Sequence, residues 1–515
     1  MESKISSSDT WKAPGAKALV IHNIKTTWPI WAASLFFLCW LIPISLTFDN
    51  IFDHRFISHS MPFDVAKILI IPVCILMAMR IFVYLSKEKS TTFFHSLPYT
   101  RTKLFVVNAL TGFALIVIPL IFVGITTIIV GAVKGNNIIL YMIEWFLILC
   151  CECIYVYGFT ILLAIIFGTK VSGYAMIGIL FFYTEIIINI YSSLFSNLHP
   201  SVIGMFIFPR GFFQFLSPIS MAVNISVTTD YWTSNGYSYH FSNLGITIAE
   251  DLIFGFLMIG AAFLLYKHRK CEKSGEIIAF NSFRMIFKWG FAFSFGAFLT
   301  VMLGETVTGN ITEQSTLTIV QTCLYIFFVL LSYLISEMIV RKKFNVFYRL
   351  RFEILLPLAA SILVALILLF DAFGLTHYVP DKSNIDSMNV NINLISARDN
   401  YTTSYEKYNN YYFTDLNLEK PSESERMDKL IDLHKYITAG DPDSFTYSEP
   451  VLDKNTMSYK KSGDNDTLVH FWYSMKDGTY MTRQYYVPFR YVVSYLDSMD
   501  TYDNYENVTT PSYYQ

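Results

Sequence analysis

Long apolar blocks alternate with short polar segments over the first three quarters of this 515-residue chain. A helix needs about 20 residues to cross an apolar layer of ~30 Å, and nine of the blocks are long enough. These blocks are residues 28–46, 68–85, 104–133, 138–167, 171–191, 244–266, 287–303, 317–339 and 354–373. The pattern predicts a polytopic α-helical membrane protein with about nine transmembrane helices. The third and fourth blocks are longer than a straight span, so we expect them to tilt, to extend out of the membrane, or to break near Pro119.

The last part of the chain follows a different pattern, which predicts a small α+β domain. Apolar and polar residues alternate over 388–394, as in a half-buried strand. Ser422 and Glu425 have the spacing of a capping box ahead of apolar residues at helical intervals. Asp477 and Gly478 separate two β-prone aromatic runs within residues 468–487, which predicts a hairpin.

Lysine and arginine are distributed unevenly among the segments that join the apolar blocks. With a cytoplasmic N-terminus, the cytoplasmic segments up to residue 380 hold 21 of these residues and the opposite side holds 4. Membrane proteins keep their basic residues on the cytoplasmic side. We therefore predict a multi-pass cell-membrane protein whose N-terminus is cytoplasmic and whose C-terminal domain, after an odd number of helices, is extracytoplasmic.

Composition excludes a soluble protein, because 53% of the residues are hydrophobic and 15% are charged. The net charge is +6 before residue 381 and −8 from there onward, so the tail differs physically from the rest. Seven cysteines occur in the apolar part, without the spacing of a disulfide framework or a zinc site. The polar first 27 residues are not followed by a cleavage site, which predicts no removed signal peptide.

The sequence carries no motif for catalysis. It lacks the GxxxxGK[ST] phosphate loop, the GxSxG elbow and the HExxH pair. We therefore predict that the chain is not an enzyme and holds no metal or cofactor, and that any energy source lies in another protein.

Residues 90–105, STTFFHSLPYTRTKLF, form a short basic and aromatic segment between the second and third blocks. Phe93, Phe94 and Leu97 can form an apolar face, and four basic residues surround it: Lys87, Lys89, Arg101 and Lys103. Such a face suits docking into a groove on a soluble partner. A loop that rests on anionic lipid headgroups fits the spacing equally well.

The same segment resembles the F-x-x-S-L-P-x-x-R motif between the second and third helices of permease subunits of ABC exporters of the type V class. In that family the motif contains a coupling helix that contacts the ATP-binding subunit. The resemblance assigns coupling to Phe93, Phe94, Ser96, Leu97, Pro98 and Arg101. It implies two copies of an ABC ATP-binding subunit, which would bind ATP and Mg, and a second permease chain, identical or related.

Two further runs are similar to a bacterial subgroup of that family. YKHRKCEKSGEIIAF, at 266–280, matches its basic Y-x-x-R-K-x-E-x-x-G run, and DAFGLTHYVPDKSNI, at 371–385, matches the start of its outer domain. The resemblance implies a six-helix core, three extra helices and an extracytoplasmic domain. The expected divisions are an N-terminal cytoplasmic amphipathic segment (1–27), the permease core (28–266) with its coupling segment (86–103), a basic loop with three helices (267–374), and the outer domain (375–515).

Residues 192–243 lie between the fifth and sixth blocks and are interrupted by glycine and proline. The family would place short re-entrant helices here, closing the outer mouth of a pathway. Backbone at membrane depth must be covered by protein or water, so such helices would pack at a dimer centre. Arg210 is the charged candidate of this segment for the path or gate, and a surface-lying amphipathic piece is the alternative.

Acidic residues within the blocks are candidates for a translocation path or gate, because a charge near the bilayer centre costs at least ~2.5 kcal/mol. Glu144 and Glu152 fall in the fourth block and Glu185 in the fifth. An interhelical hydrogen bond that only fixes packing is the alternative. Glu250 and Asp251 are expected near the outer interface, where solvation is easy, and receive no role.

The acidic outer domain offers an aromatic surface for a cationic, amphipathic ligand, with Trp472, Tyr473 and Tyr485 as candidates. The alternative is that these aromatics form the core of the domain.

Together these patterns predict the permease subunit of an ATP-driven exporter. Its cargo would be an amphipathic or hydrophobic molecule such as a peptide antibiotic, a drug or a lipid-linked precursor, which implies a role in multidrug or peptide resistance. A different class remains open, namely a non-transporting receptor or scaffold whose outer domain senses peptide or cell-wall ligands. A secondary transporter is less favoured, because the nine blocks show no internal repeat.

Overall fold

The computed structural model describes sixteen stretches of the chain. They are residues 14–44, 61–133, 139–205, 217–218, 227–229, 239–241, 244–308, 314–343, 353–394, 410–417, 421–439, 451–453, 458–460, 467–476, 480–488 and 492. Contacts divide the chain into two compact units. The first comprises Met1–Glu185 and Gly211–Phe287, and the second comprises Ile186–Arg210 and Lys288–Gln515.

The helices of the apolar region follow one another in chain order. They are α1 (Pro14–Cys39), α2 (Met61–Ile81), α3 (Glu88–Ser96), α4 (Arg101–Val133), α5 (Ile139–Ile166), α6 (Lys170–Phe181), α7 (Tyr183–Leu198), α8 (Leu244–His268), α9 (Asn281–Thr308), α10 (Gln314–Arg341) and α11 (Leu355–Leu369). A π-helical turn (Trp40–Ile44) extends α1, and a 3₁₀ segment (Phe82–Ser86) extends α2.

Seven helices in the described part of the chain are long and apolar enough to cross a membrane, namely α1, α2, α4, α5, α8, α9 and α10. The predicted fifth span is instead the pair α6 and α7, which bends by 56° and raises the number to eight when counted as one span. The predicted ninth span corresponds to α11, which has 15 residues. A polytopic helical membrane protein is thus confirmed, and the number nine stays a prediction.

Helix α4 continues through Pro119 as one helix of 33 residues. A break at this proline was one of three outcomes expected from the length of the block, and it does not occur. Pro119 is buried within the described helix, and neighbouring helices can compensate the backbone group that a proline leaves unpaired.

Helix α5 is the centre of the first unit and buries Trp145 and Tyr157 completely. It approaches α8 closely where glycines face the opposite helix. A methyl group at Gly255 would lie 3.0 Å from the backbone nitrogen of Tyr155, and one at Gly158 would lie 3.0 Å from the carbonyl oxygen of Gly255. Small residues permit such contacts between helices in lipid, where dispersion forces replace the hydrophobic effect.

In the second unit, α9 packs on α10 through Gly296, where a methyl group would lie 2.6 Å from the Cα of Val329. An ion-pair network joins the helix ends of this unit. The buried Glu337 carboxylate is 2.5 Å from the Lys288 ammonium and also pairs with Arg341. Arg341 lies 3.3 Å from Glu353, just before α11. A buried carboxylate is tolerated here because two cations balance it.

The second unit also contains an antiparallel sheet of five strands in the order β1-β9-β8-β4-β5. Its strands are β1 (Val202–Met205), β4 (Ile385–Leu394), β5 (Asn410–Asn417), β8 (Thr467–Met475) and β9 (Tyr480–Val487). Two short pairs lie outside this sheet: β2 (Val227–Thr229) with β3 (Tyr239–Phe241) in the first unit, and β6 (Val451–Asp453) with β7 (Ser458–Lys460) in the second. Strands β8 and β9 pair from Thr467 with Val487 to Ser474 with Tyr480, which is the predicted hairpin.

Helix α12 (Pro421–Thr438) covers one face of this sheet. Its buried residues recur at helical spacing, and Met427, Leu430 and Ile437 pack against Val390 and Phe471. Side chains of a strand alternate between the two faces of a sheet, so only every second residue of β4 and β8 contributes to this core.

Strand β1 comes from the segment between α7 and α8, far from the other strands in sequence. The main chain of β1 pairs with β9, where Val202 lies opposite Arg483. At this point the segment is an edge strand and not the re-entrant helix that the resemblance implied. Its sequence, VIGM, is short and β-branched, which suits an edge. Residues 206–216, including Arg210, lie outside the described residues.

A tight turn connects α11 to the sheet. The Asp371 carboxylate accepts hydrogen bonds from the backbone N–H groups of Leu375 and Thr376, both at 2.8 Å. Gly374 has a φ of +65°, a conformation that glycine adopts without steric cost. Arg483 donates to the Leu375 carbonyl at 2.8 Å, so the turn is held against β9.

Candidate functional site

Helix α3 is a nine-residue helix between the ends of α2 and α4. It begins after Lys87, which has extended backbone, and Glu88 lies at the positive end of the helix dipole. It ends at Leu97, which is extended because the following residue, Pro98, disfavours helical backbone. The local sequence therefore sets both ends of the helix.

One face of α3 is fixed to the rest of the first unit. The Thr91 hydroxyl donates to the Tyr84 carbonyl at 2.9 Å and lies 3.0 Å from the Ser274 hydroxyl. The Phe94 ring stacks on Tyr84 with 4.5 Å between centroids, and the Tyr84 hydroxyl is 2.8 Å from that of Tyr266. These contacts join α3 to α2, to α8 and to the segment that follows α8.

The opposite face of α3 is exposed, and we call it the α3 surface. Its members share one side of the helix at intervals of three and four residues: Lys89, Thr92, Phe93 and Ser96. The Phe93 side chain is 62% exposed, whereas Phe94 and Leu97 are half-buried. The predicted apolar face is thus divided, because a helix turns by 100° per residue and consecutive phenylalanines cannot point the same way.

The remaining residues of the motif differ in their surroundings. Pro98 is exposed and ends α3, and the Ser96 hydroxyl donates to the Phe93 carbonyl at 2.8 Å. Arg101 is half-buried and donates at 2.9 Å to the carbonyls of Lys267 and Arg269, at the end of α8. Cations stabilise helix C-termini because they compensate unpaired carbonyl groups. Arg101 therefore holds α4 against α8.

Arg269 connects several helix ends in this region, and the sequence did not predict this role. Its side chain is 4% exposed and donates at 2.8 Å to the carbonyls of Ile165, at the end of α5, and Leu85, at the end of α2. Burial lowers the pKa of Arg269 to about 10, so the guanidinium stays charged at neutral pH. The basic run at 266–280 therefore does more than indicate topology, since its single arginine, Arg269, follows the end of α8 and bonds to the ends of α2 and α5.

The segment after α8 also pairs with the chain after α5. The backbone N–H of Gly275 donates to the Gly168 carbonyl at 2.9 Å. A methyl group at Gly168 would lie 2.3 Å from the Glu276 carbonyl, so the two chains can approach this closely only with glycine at 168. The Glu276 carboxylate pairs with Lys273 at 2.9 Å and with Arg284. The segment after α8, which contacts α3 through Ser274, is therefore itself held in place by hydrogen bonds and ion pairs.

The acidic candidates in the apolar helices differ in burial. Glu144 and Glu185 are half-buried, whereas Glu152, in the middle of α5, is 3% exposed. Asp251, expected near the interface, is in fact only 2% exposed and lies within electrostatic range of Glu152. In the sequence, Asp251 could be noticed only as an acidic residue inside an apolar block. Its burial could not be predicted, because it depends on how α8 packs on α5.

Two of the three aromatic candidates in the sheet domain belong to its core. Tyr473 and Tyr485 are fully buried, and their hydroxyls lie 2.7 Å from Nδ1 and 2.9 Å from Nε2 of His434. Trp472 is on the opposite face of β8 and is 37% exposed. The centroid of its ring lies 3.6 Å from the centroid of the His470 ring. Of the three, only Trp472 is accessible to a ligand in the described structure.

We expect the sheet domain to lose stability in weak acid. Burial, and then the charge of Arg483, hold the pKa of His434 well below its usual range. The unfolded chain, with an ordinary histidine near pKa ~6.5, therefore binds more protons below that pH, and folding weakens as pH falls. Amide exchange of β4, β8 and β9 in the full chain should report an opening free energy that His434 alone lowers by about 1.4 kcal/mol between pH 7.5 and pH 5.5.

A partly exposed neighbour, His470, adds to this effect, because burial lowers its pKa to about 4. His470→Gln removes that share and should leave the contribution of His434 intact. Equal opening free energies at the two pH values in His470→Gln would contradict the assignment to His434.

Comparison of the chain with models of known protein families, with curated proteins and with solved structures found no match.

Proposed function

We propose that the chain is the membrane-spanning permease subunit of an ATP-driven exporter. The observation that carries this proposal is helix α3, which is braced on one face and exposes the α3 surface on the other. An exposed phenylalanine with polar and basic neighbours at helical spacing suits insertion into a groove of a soluble partner. A lipid contact would not need the bracing network behind it.

The helix ends that lie behind α3 support a role for α3 in transmitting movement to the membrane helices. Three helix ends meet behind it, since Arg269 bonds to the ends of α2 and α5 and Arg101 bonds to the end of α8. Packed and hydrogen-bonded elements move together as rigid bodies, so a displacement of α3 would reach α2, α5 and α8. Coupling between nucleotide hydrolysis and helix movement requires this kind of connection.

The partners follow from the same proposal. The chain has no phosphate-binding motif, so ATP and Mg would be bound by two copies of a separate ATP-binding subunit. A second permease chain, identical or related, would complete the pathway. The cargo class that the apolar helices favour is an amphipathic or hydrophobic molecule moved outward, such as a peptide antibiotic, a drug or a lipid-linked precursor.

Two features support an orientation with α3 in the cytoplasm and the sheet domain outside. The basic residues collect on the side of α3. Strand β1, which follows α7, pairs with β9 of the sheet, so β1 and the sheet would lie on one side of the membrane.

Replacing Phe93 by aspartate should abolish coupling without unfolding the permease. A charge on the α3 surface would be desolvated without a partner in the complex, which costs several kcal/mol. We expect complexes purified from native membranes to lose the copurifying ATPase activity by at least about tenfold, because a loss of ~1.4 kcal/mol already weakens binding tenfold. Phe93→Leu, which keeps an apolar side chain, should retain the activity.

If the Phe93→Asp variant copurifies with as much ATPase activity as the unmodified chain, the α3 surface contacts only lipid. If no ATP-binding protein accompanies even the unmodified chain, the receptor or scaffold alternative is favoured. Its outer domain would then sense its ligand and act through the Asp371 turn, which links the sheet to α11.

A further inference from the structure

Three charged residues meet inside the first unit, within helices that we assign to the membrane. Glu152 belongs to α5, Asp251 to α8 and Lys67 to α2, and their exposed fractions are 3%, 2% and 3%. Both Asp251 and Lys67 lie within electrostatic range of Glu152. We call these three residues the buried charge cluster.

The packing of α5 on α8 places the two carboxylates at one level. Gly255 contacts Ile154 and Tyr155, and Gly158 contacts Ile259, so residues about 100 apart in number face each other along two parallel helices. Glu152 and Asp251 follow the same offset, one turn away from the glycine contact. The close approach that Gly158 and Gly255 permit therefore brings the two acids together.

The charges of the cluster do not balance if every group is ionised. Two carboxylates face one ammonium, which leaves one negative charge in an apolar interior. Both carboxylate oxygens of Glu152 are buried and have no hydrogen-bond partner among the described residues. An ionised carboxylate without a partner costs at least ~2.5 kcal/mol at such a depth.

Among the side chains that the structure describes, the other titratable groups near Glu152 do not supply the missing positive charge. They are thiols, a phenol and a further carboxyl group, none of which carries a positive charge in either protonation state: Cys74, Cys150, Cys151, Cys153, Tyr155 and Glu250. Helix α4, which also packs on α5, has no titratable residue after Lys103. Within the described chain no three histidine, cysteine or acidic side chains converge as metal ligands.

We propose that Glu152 is a proton-binding site and carries a proton at neutral pH in this packed state. With that proton the cluster consists of a neutral acid, the Asp251 carboxylate and the Lys67 ammonium, and its net charge is zero. Water is excluded as long as α5 and α8 remain in contact. Separation of the two helices would hydrate Glu152 and favour loss of the proton, so the site links helix movement to proton release. This inference does not depend on the identity of any partner.

Infrared spectroscopy of the full chain in lipid at pH 7 tests the proposal directly. A protonated carboxyl has a C=O stretching band that an ionised carboxylate lacks. We expect such a band, shifted by carboxyl-¹³C glutamate, and absent in Glu152→Gln. The matched control is Glu337→Gln, which should leave the band unchanged, because Glu337 is equally buried but is paired with Lys288 and Arg341.

A second variant keeps the proposal testable if Glu152→Gln does not fold. Asp251→Asn removes one negative charge, so Glu152 can ionise beside Lys67 and the band should disappear. The absence of a protonated-carboxyl band in the unmodified chain overturns the proposal. A band that shifts with labelled aspartate in place of glutamate assigns the proton to Asp251, which overturns it as well.

Discussion

Replacing Arg269 by methionine lowers the stability of the helical unit by about 3–5 kcal/mol, because the carbonyls of Ile165 and Leu85 then lose a charged donor in a buried position. Methionine keeps an unbranched apolar stem but lacks the guanidinium, so it donates no hydrogen bonds to these carbonyls. The melting temperature of the purified full chain, followed by loss of the monodisperse species on heating, should fall by roughly 6 °C or more. The effect is large because one side chain serves the ends of two helices and borders a third.

Two neighbouring variants separate the role of the guanidinium from that of charge alone. Arg269→Lys keeps the charge but cannot span both carbonyls with a planar fork, so its effect should be intermediate. Lys270→Met removes an exposed charge from the adjacent position and should leave the melting temperature unchanged within about 1 °C. A melting temperature of Arg269→Met equal to that of Lys270→Met would show that the three helix ends hold together without Arg269.

Replacing Gly255 by valine forces α8 away from α5. Even a methyl group there would lie 3.0 Å from the Tyr155 nitrogen and 2.8 Å from a side-chain carbon of Ile154, and backbone atoms of a packed helix cannot yield. Overpacking of this kind costs typically 1–3 kcal/mol, and a branched side chain belongs at the upper end. We expect a lower melting temperature and a loss of transport or coupled ATPase activity, because the helices that carry Glu152 and Asp251 are displaced.

The same helix provides the control. No atom lies within 4 Å of the position that a methyl group at Gly260 would take, so Gly260→Val meets open space and should preserve both stability and activity. Gly255→Ala should fall between the two. If Gly255→Val and Gly260→Val behave alike, the close contact between α5 and α8 is not required for the function.

Patterns that span few residues predicted structure well in this chain. The apolar blocks indicated the class of protein, since length and composition alone decide whether a helix can cross a bilayer. The Asp477-Gly478 signal predicted the β8–β9 hairpin, because turn chemistry and alternation are local. The end of α3 followed from Pro98. Each of these depends on the preference of a residue and its immediate neighbours.

Features that join distant residues were not predicted. The bracing role of Arg269 and the burial of Asp251 depend on which helices are neighbours. The separation of Phe93 from Phe94 depended on which side of α3 meets Tyr84. The sequence left Tyr473 and Tyr485 open between a ligand surface and the core of the domain, because the inward faces of β8 and β9 are identified only by the positions of α12 and His434.

The sequence by itself determined that the chain is a membrane protein, where seven of its long apolar helices lie, which charges it carries, and where α3 ends. Hydrophobicity, charge and backbone preference are properties of each residue, so they can be read from the sequence before the fold is known. Only the tertiary structure decided that β1 joins the sheet, that Arg269 holds three helix ends, and that Glu152, Asp251 and Lys67 meet. Those contacts link residues that are far apart in the sequence. Their burial and charge balance arise only when packing brings them together.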